Sequence, residues 1–322
     1  MHWPRVLVAA TRRIFSWLLP ALVVTSVAAG DFAYVTNQNS DEVSVLDLDA
    51  GVELRRVSVP GKPAGIAADG QGQFYTVSPD SKTVRRIDAT TDAVLAEAVL
   101  EGGPIGIALD MPRGHAFVSV WYNARVWVLD AVTLVELGTL ETGSAPAGLA
   151  VSPDGRLLAC ADRDADKVSV FDLATLTLLH RVAVGERPFG LGFAPNGRLF
   201  VGNVGSDDVT VLDALTGELL ATVPVGSRPY GVAFAAGRAF VTNQYADTVS
   251  AIDLATLAPI ATIDVGEYPE GIDSTTDQTR VVVANWFSNS VSVIDANNLA
   301  VVAEIETGDG PRAFGKFVVK GE

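Results

Sequence analysis

Two independent sets of markers run through this chain in one register. The aspartates Asp47, Asp88, Asp130, Asp172, Asp213, Asp253 and Asp295 stand 41, 42, 42, 41, 40 and 42 residues apart. The prolines Pro63, Pro104, Pro146, Pro188, Pro229, Pro269 and Pro311 repeat the same series of gaps, 41, 42, 42, 41, 40 and 42. A period of roughly 40–45 residues with about four strands per copy is that of a β-propeller blade. The expected fold is therefore all-β, a seven-bladed β-propeller with four antiparallel strands per blade.

One copy, residues 225–253, shows the parts: VGSRPYGVAFAAGRAFVTNQYADTVSAID. A Gly-x-x-Pro-x-Gly turn leads into an apolar strand, and a tight turn leads into a second strand ending Val-Thr-Asn. A polar loop then precedes an alternating strand closed by Asp. Gly65, Gly106, Gly148, Gly190, Gly231 and Gly271 follow the turn proline by two. There the innermost strand begins, where neighbouring blades crowd the backbone and leave no room for a Cβ. The last copy has Ala313 instead. Segments such as Val43-Ser-Val45 and Val168-Ser-Val170 alternate with the period of half-buried strands. Thr91, Thr133, Thr175, Thr216, Thr256 or Asn298 follows the closing Asp by three. Short polar groups so spaced mark hydrogen-bonded turns rather than catalytic acids.

Tyr34-Val-Thr-Asn37, Val241-Thr-Asn243 and the Val-Ser-Val-Ile/Leu-Asp segments resemble the YVTN-type seven-bladed propeller repeat family. The resemblance covers about residues 32–317. It marks the fold strongly and the function weakly, because repeats define a scaffold and not a chemistry. No Trp-Asp dipeptide occurs, which sets the chain apart from WD-type repeats.

Residues 1–28 read as a secretory signal peptide. Arg5, Arg12 and Arg13 form a basic front, residues 14–28 an apolar run, and Ser26-Val27-Ala28 a small-residue cleavage site. That run is short for a membrane span, which takes about 20 residues, so the reading is of an exported, periplasmic or extracellular chain with no membrane span in its mature part; a retained anchor is the alternative. Residues 29–322 then form a single domain. It begins at the second strand of a blade, residues 32–36, and ends with an orphan first strand, residues 314–319. Joining the two closes the ring and leaves no free inner edge. The one cysteine, Cys160, excludes an intrachain disulfide and reads as an inert buried thiol.

The formal net charge is −15, and without the three leader arginines 20 basic residues stand against 38 acidic ones. Such a charge repels phosphate backbones, so nucleic acid is not an expected partner. Metal chemistry lacks ligands: only His115 and His180 follow the leader, with one Cys. Asp162-Arg-Asp164-Ala-Asp166 imitates the start of a calcium loop, but Lys167 stands where such loops need Gly. No Cys-x-x-Cys-His or Gly-x-Ser-x-Gly occurs. No cofactor is called for.

The repeat places the Gly-x-x-Pro turns and the loops after the Val-Thr-Asn strands on one face of the disc. Loops on a rigid scaffold are where binding residues collect. The aromatics there are Trp121 and Tyr122, Tyr245, and Trp286 and Phe287, with Phe189, Tyr230 and Tyr268 from the turns. They are either a binding patch or covers for the adjacent blade. Lys62, Arg187 and Arg228 precede their prolines and Arg312 follows the seventh, a set that suits a carboxylate or phosphate unless it is simply a habit of the repeat. The expected function is a non-catalytic binding scaffold whose partner is a protein or a small anion. The resemblance adds two alternatives: a propeller subunit of a periplasmic quinoprotein-type oxidoreductase, docking a redox protein, and a lactonase-like hydrolase.

Overall fold

The computed structural model describes residues 1–4 and 30–321. The described residues form seven sheets, one per repeat, and four antiparallel strands of each lie in the order expected of a blade. The expected leader falls on residues outside the described part from residue 5 onward. No helix among the described residues is long and apolar enough to cross a membrane.

Blade 5 serves for all. Its strands Pro188–Phe193, Arg198–Asn203, Asp208–Asp213 and Glu218–Pro224 run from the axis outward. The middle two strands are almost wholly buried, whereas the outermost exposes most of its residues. Leu199, Val201 and Leu212 pack on Ala159, Val168 and Val170 of blade 4, so the core is a set of layers between consecutive blades. Large apolar side chains in such layers contribute about 1.5–3 kcal/mol each.

The glycine after each turn proline does what the sequence requires. A Cβ on Gly231 would lie 2.8 Å from the Glu270 carbonyl oxygen of the next blade, and one on Gly190 would strike the Tyr230 carbonyl. The Val-Thr-Asn asparagines are pegs inside their own blade. Asn243 Nδ2 donates to Ser250 Oγ at 2.9 Å, and Asn37, Asn203 and Asn285 make the same bond seven residues on. In blade 4 the peg is Asp162, which accepts from Ser169 Oγ at 2.6 Å and whose pKa burial pushes up. The closing aspartates are turn residues as expected. Asp253 Oδ1 accepts the N–H groups of Ala255 and Thr256 and the Thr256 hydroxyl at 2.8–3.0 Å.

The ring closes with one departure from expectation. The orphan strand at 314–319 is two short strands, Phe314–Lys316 and Val318–Lys320. The second pairs with Asp31–Asn37 and completes the first sheet. The first leaves that sheet and runs parallel to Gly65–Ala68 of the neighbouring blade. The switch sits at Gly315, with φ of 139°, and at Asp273, whose carboxylate accepts the N–H groups of Phe317 and Val318 at 2.9 Å. Phe317 is fully buried and Phe314 is 7% exposed. The closure is also bonded at its edges. Asp31 accepts the Thr276 N–H and hydroxyl, and Arg280 bonds Asp49 and the Leu48 carbonyl.

Candidate functional site

The inner strands of blades 3 to 7 carry a bulge between the turn proline and the residue three later, as at Pro188 and Leu191. A bulge re-aims the side chain within it. The residue after the proline stands there, and around the ring that position reads Ala64, Ile105, Ala147, Phe189, Tyr230, Glu270 and Arg312. The last four of these line one recess on the loop-rich face, and Ile105 and Ala147 share a cluster with Phe189 and Tyr230. Phe189 and Tyr230 stack with centroids 4.2 Å apart, and Phe314 packs on both at 4.9 and 5.9 Å. On its other side Phe314 lines a cavity of about 810 Å³ that opens between the tight hairpins. Phe314 thus lies between that cavity and the Phe189–Tyr230 pair.

Above this floor lies a recess of about 210 Å³. Its polar side is a chain of buried bonds that begins at Arg312. That guanidinium donates to Gln38 Oε1 at 3.0 Å and to the Tyr230 hydroxyl at 2.6 Å, and its Nε lies 2.8 Å from Glu270 Oε2. Gln244 Nε2 donates to Glu270 Oε1 at 2.7 Å. Burial pushes the Glu270 carboxyl up, with Arg312 pulling back. Burial also opposes the Arg312 charge, but Glu270 and Tyr230 outweigh it and hold the guanidinium more firmly protonated than usual. Tyr230 is itself raised by burial.

The other walls are Trp121, Arg163, Val204, Arg228 and Tyr268. The Arg163 guanidinium lies 5.4 Å from the Trp121 ring and pairs with Asp164 at 2.6 Å. Arg228 lies over Tyr245 at 4.2 Å, a distance at which a cation is attracted to the ring face. Its Nε is buried with no hydrogen-bond partner among the described residues. The backbone of Arg228 is equally fixed: with φ of 56° its N–H donates to Asp207 at 2.7 Å. The same clamp holds Lys62 to Asp41, Arg187 to Asp166 and Tyr268 to Asp247. The left-handed residue before the proline is thus paid for by an aspartate on the preceding blade. The aspartates of the calcium-like run are committed in the same way, Asp166 to this clamp, Asp164 to Arg163 and Asp162 to Ser169. Among the described residues no group of three or more His, Cys, Asp and Glu is placed to hold a metal ion.

The twelve residues singled out in the sequence divide into three groups. Trp121, Phe189, Arg228, Tyr230, Tyr268 and Arg312 line the recess. Tyr245, Tyr268, Trp286 and Phe287 form a continuous strip beside it, with successive centroids 4.6–5.8 Å apart. Tyr245 and Phe287 are 56% and 59% exposed, while Tyr268 and Trp286 are half-buried beneath them. Burial and the neighbouring Tyr245 push the Tyr268 pKa up to about 12. Lys62, Tyr122 and Arg187 stand apart. The Lys62 ammonium is turned to the Asn39 carbonyl at 3.0 Å, and Tyr122 and Arg187 are exposed. The four cations therefore do not form one anion site; two of them, Arg228 and Arg312, share the recess. Sequence reasoning missed Gln38, Arg163, Gln244 and Glu270. Glu270 carried a signal, since it is the one acid at a position that is apolar or aromatic in the five copies before it and Arg312 in the copy after it.

Several solved structures share this architecture. A functionally unknown protein from Desulfotomaculum acetoxidans superposes with a TM-score of 0.77 at 16% identity, covering 90% of this chain and 99% of that one. Hydrazine synthase of Kuenenia stuttgartiensis gives 0.72 at 17% identity, over 87% of this chain and 99% of that one. The dihydro-heme d1 dehydrogenase NirN gives 0.65 at 17% identity, over 89% of this chain and 66% of that one. At these identities the likeness is one of fold. No curated protein matches the chain. The model of one family, the YNCE-like beta-propellers, matches residues 16–317, nearly the whole sequence, and the chain belongs to that family.

Proposed function

We propose that this protein is an exported, non-catalytic β-propeller that binds a partner protein through its loop-rich face. The observation that carries this reading is the aromatic strip. Four rings lie in contact on one face, two of them more than half exposed, on a backbone fixed by the Asp–turn clamps. Rigid aromatic anchors are the side chains that dominate protein interfaces. The basic leader with its apolar run supports export.

A second reading is that the partner is a redox enzyme and the propeller its accessory subunit. It is favoured by the propellers found in hydrazine synthase and in the dihydro-heme d1 dehydrogenase. Affinity capture of the tagged, exported chain from its native cells, with mass spectrometry of what is retained, tests both. A reproducible partner that a Tyr245→Ser/Phe287→Ser variant fails to retain supports docking, and a redox enzyme among the retained proteins supports the second reading. Equal retention by the variant counts against the strip.

A further inference from the structure

The recess at the channel mouth adjoins the exposed strip and shares Tyr268 with it, but its chemistry points to a ligand of its own. Among its lining residues Arg163, Arg228 and Arg312 face a single acid, Glu270, so the recess is locally positive in a chain of net charge −15. Glu270 is ion-paired with Arg312 and accepts from Gln244 through Oε1, while its Oε2 makes no hydrogen bond among the described residues. Among the described residues Arg163 is ion-paired only with Asp164, whose side chain is 47% exposed and is not part of the lining. Arg228 keeps a buried Nε with no hydrogen-bond partner among the described residues. An unpaired buried donor costs free energy that an acceptor from a ligand restores.

The remaining lining is largely aromatic. Trp121 and Tyr268 form walls, and the stacked Phe189 and Tyr230 form the floor. The volume of about 210 Å³ corresponds to about seven waters. From this we infer that the recess binds a small planar carboxylate, its ring on the aromatic walls and its carboxylate on Arg228 and Arg163. A guanidinium matches a carboxylate through paired N–H donors, and aromatic walls select against a bare spherical anion.

Isothermal titration of the full chain with benzoate, benzamide and inorganic phosphate tests this. Benzoate is expected to bind with a Kd on the order of 1 mM or tighter, the range open to so small a ligand. Benzamide and phosphate should each bind at least tenfold more weakly. Arg228→Gln should weaken benzoate at least tenfold with an unchanged melting temperature; if that variant does not fold, Arg163→Gln serves instead. Absence of benzoate binding overturns the inference, as does equal binding of benzamide or equal affinity in a folded variant. Phosphate binding as tightly as benzoate overturns the assignment of a planar apolar body.

Discussion

Replacing Arg312 with Met tests whether the network under the recess is an ion pair. Glu270 is 3% exposed and faces Arg312 at 2.8 Å, so the substitution leaves a buried carboxylate with only Gln244 to satisfy it. Breaking a buried pair from one side costs about 3–5 kcal/mol. Because the Arg312 side chain is 20% exposed and water reaches the site, the lower end applies, about 3 kcal/mol. At about 2–4 °C per kcal/mol for a large domain, the melting temperature should fall by roughly 6–12 °C at pH 7.

The loss should depend on pH, with a definite sign. Without Arg312 the Glu270 carboxyl moves further up from the usual range, so the folded state holds the proton more tightly than the unfolded one. Stability is then greatest on the acid side and is lost as pH rises through the folded-state value. The deficit of Arg312→Met relative to the native chain should therefore shrink as pH is lowered from 8 to 5. Glu270→Gln alone strands the guanidinium, and the double variant Arg312→Met/Glu270→Gln should cost less than the two single changes added together. Differential scanning calorimetry of the four proteins across that pH range supplies the cycle. A deficit under about 1 kcal/mol, or one that is flat with pH, would refute the ion pair.

Deleting residues 314–322 removes Phe314, Phe317 and Val318, all buried, at roughly 1.5–3 kcal/mol each. That loss is comparable to the whole stability of a domain, so an unchanged melting curve would contradict closure by this segment. Asp88, Asp130, Asp172, Asp253 and Asp295 are held below the usual carboxylate range by turn N–H groups, chiefly that of the residue three positions later. Their contribution is present above the ordinary Asp value and lost as pH falls through the lowered ones. Melting temperatures measured from pH 5 to 2 should drop, less steeply after Asp253→Asn. Asp207→Ala should lower stability by about 1–2 kcal/mol through loss of the clamp on the Arg228 N–H. It should also raise hydrogen exchange at Arg228, and unchanged exchange there would remove the clamp from the account.

The scaffold was legible because its markers are local: a proline and an aspartate in every copy, and a glycine in six of the seven, each meet a fixed backbone need. The split of residues 314–319 was less so, since Phe-Gly-Lys-Phe-Val-Val reads as one alternating strand. Only Gly315 hints at the switch, and Asp273, which drives it, lies in another blade. The recess combines residues from separate copies, and the repeat pattern gives their register but not their reach. Phe189 and Tyr230 were found because aromatics stand out. Glu270 and Arg312 hold one register position in consecutive copies, so their pairing was readable in principle. Arg187 and Arg228 precede their prolines alike, yet only Arg228 lines the recess. Side-chain direction, which the register does not carry, separates them.

The most direct test of docking through the loop-rich face is the affinity of a captured partner for three forms of the chain. These are the native protein, Tyr245→Ser/Phe287→Ser, and Asn196→Ala in a hairpin of the opposite face. Anchors of this kind are worth about 2 kcal/mol or more, so biolayer interferometry should show the strip variant binding at least about thirtyfold more weakly. The hairpin variant should match the native chain. Equal affinity of all three would contradict the account, and a loss confined to the hairpin variant would move the interface to the other face.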